Sequence, residues 1–441
     1  MRGISRADWG GVGRLIGFHR VAKTREECIR RCLSGGLDMQ GACDYDARFW
    51  NQTVCDLVRA GKLTEAKIDD SVCRILKMKF ELGLFENPYV DDETYKSVMR
   101  CDKHAAISLK AAEEAMVLLS NNGILPLKED YKKIAVIGPS SAAQKIGGYS
   151  SKPRGYTIKS VYDELKERYP EAEIHQCDGC AITHTQGQSV LYVDGQPHLT
   201  QVLEADIDDM IDDAVAIAKD AELAILVCGD NTISSGEGRD RSRLVLAGRQ
   251  RELILKVAET GTPVVLVLEN GTAVDLSAEA PVCASIVVAG FGGEFGAKAI
   301  VKTLAGDVNP AGRLTVSYPH DEGMIPCYYS RQPGGSCDYL EGSRDPKYPF
   351  GFGLSYTKFA YSDLSIRPLG GYRFEAKFTV QNVGERAGDE VAQLYVNDPE
   401  SSIVTPTKVL RKFKRVSLEA GESTEIVFEL GFDDLDRKSV V

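Results

Sequence analysis

Four short apolar runs, KKIAVIG (132–138), AELAILVCGD (221–230), TPVVLVLENG (262–271) and ASIVVAGFGG (284–293), recur along the middle of the chain, each ending in or near glycine. Such a run, too short for a helix and apolar at nearly every position, suits a parallel strand buried on both faces. Between the runs lie segments with helical spacing, near 159–168, 205–219, 248–260 and 294–304, and EAEIHQC supplies a further strand. Strands alternating with helices at this interval predict an open α/β sandwich with a mostly parallel sheet. Ahead of it, 103–120 reads as one amphipathic helix, and TEAKIDDSVCRILKMKFELGLF from Thr64 as another. There Ile68, Val72, Ile75, Leu76 and Phe80 share a face, with Thr64 as N-cap and Gly83 as C-cap. AKTREECIRRCL (22–33) is also helical, and LSGGLDM leads into a short strand.

The pattern changes after Pro319. Residues 320–353 are rich in Gly, Pro, Tyr and Ser without periodicity and read as a linker. Period-2 strands follow: in RFEAKFTV the side chains of Phe374, Ala376, Phe378 and Val380 fall on one face, and EVAQLYVND and STEIVFEL repeat the alternation. A small β-sandwich over 354–435 fits them. Expected boundaries are 1–100 for the first region, 101–319 for the α/β sandwich, 320–353 for the linker and 354–441 for the β-sandwich.

At 441 residues the chain exceeds what one core fills. A net charge of −11 with no Lys/Arg stripe argues against nucleic acid as a partner. No run of about 18 apolar residues provides a membrane span. Met1-Arg2-Gly3 leads into polar residues rather than an apolar leader, which taken alone reads as cytoplasmic. The twelve cysteines are scattered, several inside helical patterns, and read as reduced thiols. Cys177-Asp-Gly-Cys180 has the spacing of a redox or metal pair, but no second pair accompanies it, and the six histidines form no ligand pattern. No metal is expected.

Three stretches bear on chemistry. Asp8-Trp9 stands where the end of a barrel strand would expose a carboxylate, or else on a frayed terminus. SSGEGRDR (234–241) follows the strand AILVCGD, so Glu237 could project from the carboxyl end of a parallel strand, or its acids could pair with Arg239 and Arg241. VIGPSSAAQKIGG (136–148) lacks the glycine spacing of a phosphate loop and reads as a tight strand-to-helix turn.

Taken in order, ADWGGVG, GGLDM, IDDSVCRILKMKFELGLFENPYV, AMVLLSNNGILPL, KKIAVIGP, GEGRDR, GDVNPAGRLTVSYP and KYPFGFGLSYTKFAYSDL resemble glycoside hydrolase family 3, from Gly3 to about Leu435. The resemblance implies a (β/α)8 barrel, an α/β sandwich and a fibronectin type III-like domain, hydrolysing terminal β-linked glycosides with retention and without a cofactor. It implies Asp8 as nucleophile, Glu237 as general acid/base and Trp9 beside the sugar. Such chemistry needs the two carboxyls about 5 to 5.5 Å apart.

Against that pattern some six βα units are absent. Only the last two barrel strands are expected, near 3–8 and 36–39. Ala7 replaces the usual Ser, Ser5 and Arg6 occupy a strand interior, and DRKSVV replaces the final sandwich strand. The chain is therefore expected to be the C-terminal three-fifths of a β-glucosidase-like enzyme and inactive alone. A β-xylosidase or α-arabinofuranosidase is the enzymatic alternative, and a non-catalytic carbohydrate-binding or assembly fragment the other. YYSRQPGGSCDYLEGSRDPKYPF (328–350) carries tyrosines that either line a leaving-group subsite or pack the linker. Homo-oligomerisation is left open.

Overall fold

The computed structural model describes residues 3–41, 46–143, 145–147, 150, 156–183, 188–193, 196–201, 204–334 and 338–435. It divides into two compact units, Met1–Cys101 and Asp102–Val441.

The first unit is helical: α1 (Arg14–Gly17), α2 (Arg25–Ser34), α3 (Ala47–Arg59), α4 (Glu65–Glu81) and α5 (Asp92–Val98). Thr24 caps α2 by accepting the Glu27 N–H, and Asp46 caps α3 through the amides of Arg48 and Phe49. Ile29, Leu33, Leu57 and Leu63 form one small core, against which Ile68 of α4 packs. The rest of the α4 apolar face does not follow it inward, since Val72, Leu76 and Phe80 are exposed. Thr64 holds the N-cap position without a side-chain bond, and Gly83 follows the helix in the left-handed conformation. The segments expected as barrel strands meet at one point, a parallel bridge between Arg6 and Met39.

The second unit begins with α6 (Asp102–Ala115), followed by β1 (Val117–Asn121), β2 (Lys133–Ile137), α7 (Val161–Arg168) and β3 (Glu173–Cys177). A small sheet of β4 (Ile182–Thr183), β5 (Gln188–Val193) and β6 (Gln196–Gln201) precedes α8 (Glu204–Lys219), β7 (Leu223–Gly229), α9 (Gln250–Ala258), β8 (Val264–Glu269), β9 (Ser285–Val288) and α10 (Gly296–Ala305). The main sheet runs β1-β9-β8-β7-β2-β3, parallel throughout except for β1. The single helix expected over 103–120 thus ends at Ala115, because Val117-Leu118-Leu119 pairs antiparallel with β9 and closes the sheet edge. The sheet is mixed for that reason.

Alternate residues of each central strand feed opposite cores. In β7, Ala224, Leu226 and Cys228 pack on α8 and α9 through Ile211, Leu253 and Ile254. Leu223, Ile225 and Val227 face the other way, toward Leu165 of α7 and Ile300 and Leu304 of α10. Two-sided burial explains why these strands read as unbroken apolar runs.

The β-sandwich sets β10 (Phe359–Gly370), β11 (Arg373–Asn382) and β14 (Ser423–Leu430) against β12 (Gly388–Val396) and β13 (Val409–Leu418), with α11 (Phe432–Leu435) after them. Ala376, Phe378 and Val380 are buried as their alternation predicts, and Phe378 and Val380 share a core with Ile426 and Phe428. Arg313 fastens the sandwich to the α/β body through a 2.7 Å bond to Glu390, whose other oxygen accepts from Tyr361.

Candidate active site

In the first unit the backbone around Asp8 is held from one side. Ala7 donates to the Met39 carbonyl at 2.9 Å, and Asp38 and Met39 donate to Ser5 O at 2.9 and 3.2 Å. The Asp38 carboxylate then accepts the Ser5 N–H at 2.9 Å and a two-pronged bond from Arg74 of α4, at 3.0 Å from Nε and 2.6 Å from Nη2. Its side chain is 1% exposed. The Arg74 guanidinium holds the Asp38 carboxyl well below the usual carboxylate range. Asp8 itself is exposed, with Oδ1 accepting the Trp9 amide at 2.7 Å, and Trp9 is 63% exposed.

Asp38 has a consequence for stability. A carboxyl whose folded pKa lies below its unfolded value near 3.9 contributes stability at higher pH and loses it as pH falls through the folded value. Asp38→Asn should therefore lower the thermal midpoint of the first unit by about 5 °C at pH 7. The gap should narrow on acidification below about pH 4. Circular dichroism melts at both pH values check this, and equal midpoints at pH 7 would remove Asp38 from the support of the Asp8 segment.

Glu237 belongs to the second unit, on the loop leaving β7. That loop is fastened at its root. Asp230, buried at the strand end, accepts from Ser234 Oγ at 2.9 Å and Arg241 Nη1 at 3.3 Å. Asn231 Oδ1 accepts the amides of Ile233 and Ser234, and Arg241 also reaches the Val245 carbonyl. Just beyond, Glu322 receives Arg243 Nε at 2.8 Å and the Leu244 amide at 2.9 Å. Arg241 thus serves the strand-end acid Asp230. Glu237 sits exposed between Gly236 and Gly238.

In the stretch after β2, Lys145 lies 2.5 Å from Ser140 Oγ and 3.5 Å from Glu269 Oε2, and the lysine and glutamate side chains are largely buried. The lysine is engaged inside the protein, as a strand-to-helix turn would have it. Burial pushes the thiols of Cys177 and Cys180 up to about 12, so both are protonated at neutral pH.

An acidic loop at the carboxyl edge of a parallel sheet, on a body continued by a β-sandwich, is an arrangement of carbohydrate-cleaving enzymes. The glycosyl hydrolase family 3 C-terminal domain matches residues 116–356 and a fibronectin type III-like domain matches 390–440. The chain belongs to glycosyl hydrolase family 3. It is similar to a β-xylosidase of Formosa agariphila (33% identity over 98% of this chain and 60% of the relative). It is also similar to the periplasmic β-glucosidase of Salmonella typhimurium (31%, over 98% and 59%). The structure of a β-glucosidase from Erythrobacter marinus superposes with a TM-score of 0.89 at 34% identity, over 98% of this chain and 59% of that one. The chain spans about 60% of the length of the curated relatives it matches, as their C-terminal part.

Asp38, Arg74 and Asp230 escaped the sequence reading. The one available signal was an acid inside the otherwise apolar GGLDM and another directly after the glycine closing AILVCGD.

Proposed function

We propose that this chain carries the two catalytic carboxyls of a retaining β-glycosidase acting on terminal non-reducing β-D-glucosyl residues. The Asp8 carboxylate attacks the anomeric carbon and forms a glycosyl-aspartate ester while Glu237 protonates the departing oxygen. Glu237 then takes a proton from water, which attacks the same carbon, breaks the ester and leaves the sugar with its original anomeric configuration. Trp9 flanks the ring. The observation that carries this reading is the exposed Glu237 on a loop whose root is pinned by Asp230 and Arg241, in a chain of this family.

The Arg6–Met39 bridge supports reading residues near 3–8 and 36–39 as the last two strands of a (β/α)8 barrel. A β-xylosidase is the second reading, favoured by the likeness to the Formosa agariphila protein. Among the described residues of the first unit no further strand pairing closes a barrel around Asp8. The purified 441-residue chain is therefore expected to release no aglycone from aryl β-glucoside or aryl β-xyloside above the buffer rate. The assay is run beside Asp8→Asn and Glu237→Gln. Release lost in both variants would overturn the expected inactivity while supporting the two roles, and release that survives both would overturn the roles. The preferred glycoside would separate the two sugar readings.

A further inference from the structure

The linker folds over one end of the β-sandwich and encloses with it a cavity of about 660 Å³, within the range of small-ligand sites. Its walls are unlike the protein's remaining surface. Arg331, Arg344 and Lys408 line it against the single carboxylate of Asp345, in a chain of net charge −11.

These cations are differently engaged. Arg331 is structural: Nη2 bonds Asp345 at 3.0 Å, and its carbonyl accepts the Thr407 amide at 2.9 Å, tying the linker to the sandwich. Arg344 gives one Nη2 bond to the Gly334 carbonyl at 3.2 Å and enters no ion pair among the described residues. Lys408 lies 5.5 Å over the Tyr395 ring and likewise has no carboxylate partner among the described residues. Two positive groups thus border the cavity with bonding capacity left over.

The tyrosines divide in the same way. Tyr329 is packed, stacked on Phe350 with centroids 4.0 Å apart. Tyr328 and Tyr339 are 69% and 49% exposed, so ring surface remains for a ligand. Open aromatic faces suit a sugar ring, and uncompensated cations suit a carboxylate.

We infer that this cavity binds the uronic-acid residue of an acidic oligosaccharide, with Tyr328 and Tyr339 against the sugar ring and Arg344 and Lys408 at its carboxylate. The site is independent of the Asp8 and Glu237 assignment, and nothing in it requires hydrolysis.

Calorimetric titration of the full chain with a xylotriose bearing one glucuronic acid branch, beside unbranched xylotriose, tests it. The acidic saccharide should bind at least about tenfold more tightly, and less so as salt is raised. Arg344→Gln and Lys408→Gln should each weaken it about tenfold, Tyr328→Ala by a similar factor, and Glu237→Gln not at all. Unchanged melting temperatures show that the variants are folded. Equal binding of the two saccharides, or indifference to both Arg344→Gln and Lys408→Gln, would overturn the inference. So would equal affinity for a simple phenolic carboxylate, which would make the site one for aromatic acids.

Discussion

Fused behind the N-terminal part of the Salmonella typhimurium relative that this chain does not span, the protein is expected to hydrolyse aryl β-glucosides, and Asp8→Asn in that fusion to remove activity by roughly 10⁴-fold. An amide has no charge with which to attack the anomeric carbon, and the covalent route closes. Glu237→Gln should cost about 10²- to 10⁴-fold, and the loss should depend on the substrate. A nitrophenolate leaves with little help from a proton, whereas a sugar hydroxyl does not, so the defect should be larger with a disaccharide. Added azide, which needs no general base, should restore turnover of the aryl glycoside in Glu237→Gln and leave Asp8→Asn inactive. Steady-state kinetics and product analysis read each of these. If Asp8→Asn keeps more than about a tenth of the parent rate, the nucleophile lies elsewhere.

The central sheet was legible because each strand is buried on both sides. In β7 the residues from Leu223 to Cys228 are divided between two cores, so no polar residue interrupts the run. The β-sandwich was legible for the opposite reason, since β11 has one wetter face and its alternation survives in the sequence. β1 was not legible: Val117-Leu118-Leu119 continues the apolar spacing of α6, and only its partner β9 decides between helix and strand. On α4 the regular apolar spacing was real, but in this structure Val72, Leu76 and Phe80 are exposed, so periodicity alone did not locate the core.

The candidate site divides similarly. Glu237 and its glycines are a local pattern on a strand end, and Asp8-Trp9 a local pattern near the chain start. What fastens them is not local. Asp38 meets Arg74 across 36 positions, and Asp230 meets Arg241 across 11. A carboxylate buried against a guanidinium reads in sequence like any surface acid until its partner is known. The groups offered as reactive are exposed and the groups that place them are buried, so sequence reading finds the first set more readily than the second.

Replacing Gly229 with alanine should be the most destabilising single change in the second unit. Gly229 closes β7 with φ +142°, a region that costs other residues about 1 to 3 kcal/mol. An added Cβ would lie 2.1 Å from the Glu269 carbonyl oxygen and 2.5 Å from its carbon, both in the backbone of the neighbouring strand β8. Neither can swing aside as a side-chain end would. Both polar groups of Gly229 are also used by the buried Gln250, whose Oε1 accepts its amide at 2.8 Å and whose Nε2 donates to its carbonyl at 2.9 Å. Separating the strands would strain this pair as well. Overpacking adds about 1 to 3 kcal/mol, so the total is about 4 kcal/mol, or about 10 °C in melting temperature. Gly238 is the matched control, because its φ is +69° with nothing within 4 Å of an added Cβ, and Gly238→Ala should cost about 1 kcal/mol. Because Asp230 follows Gly229 directly, the damage from Gly229→Ala should reach the root of the Glu237 loop, whereas Gly238→Ala alters only its tip. Thermal melts of the two variants decide the matter: comparable midpoints would mean that β7 and β8 do not approach as closely as the backbone here requires.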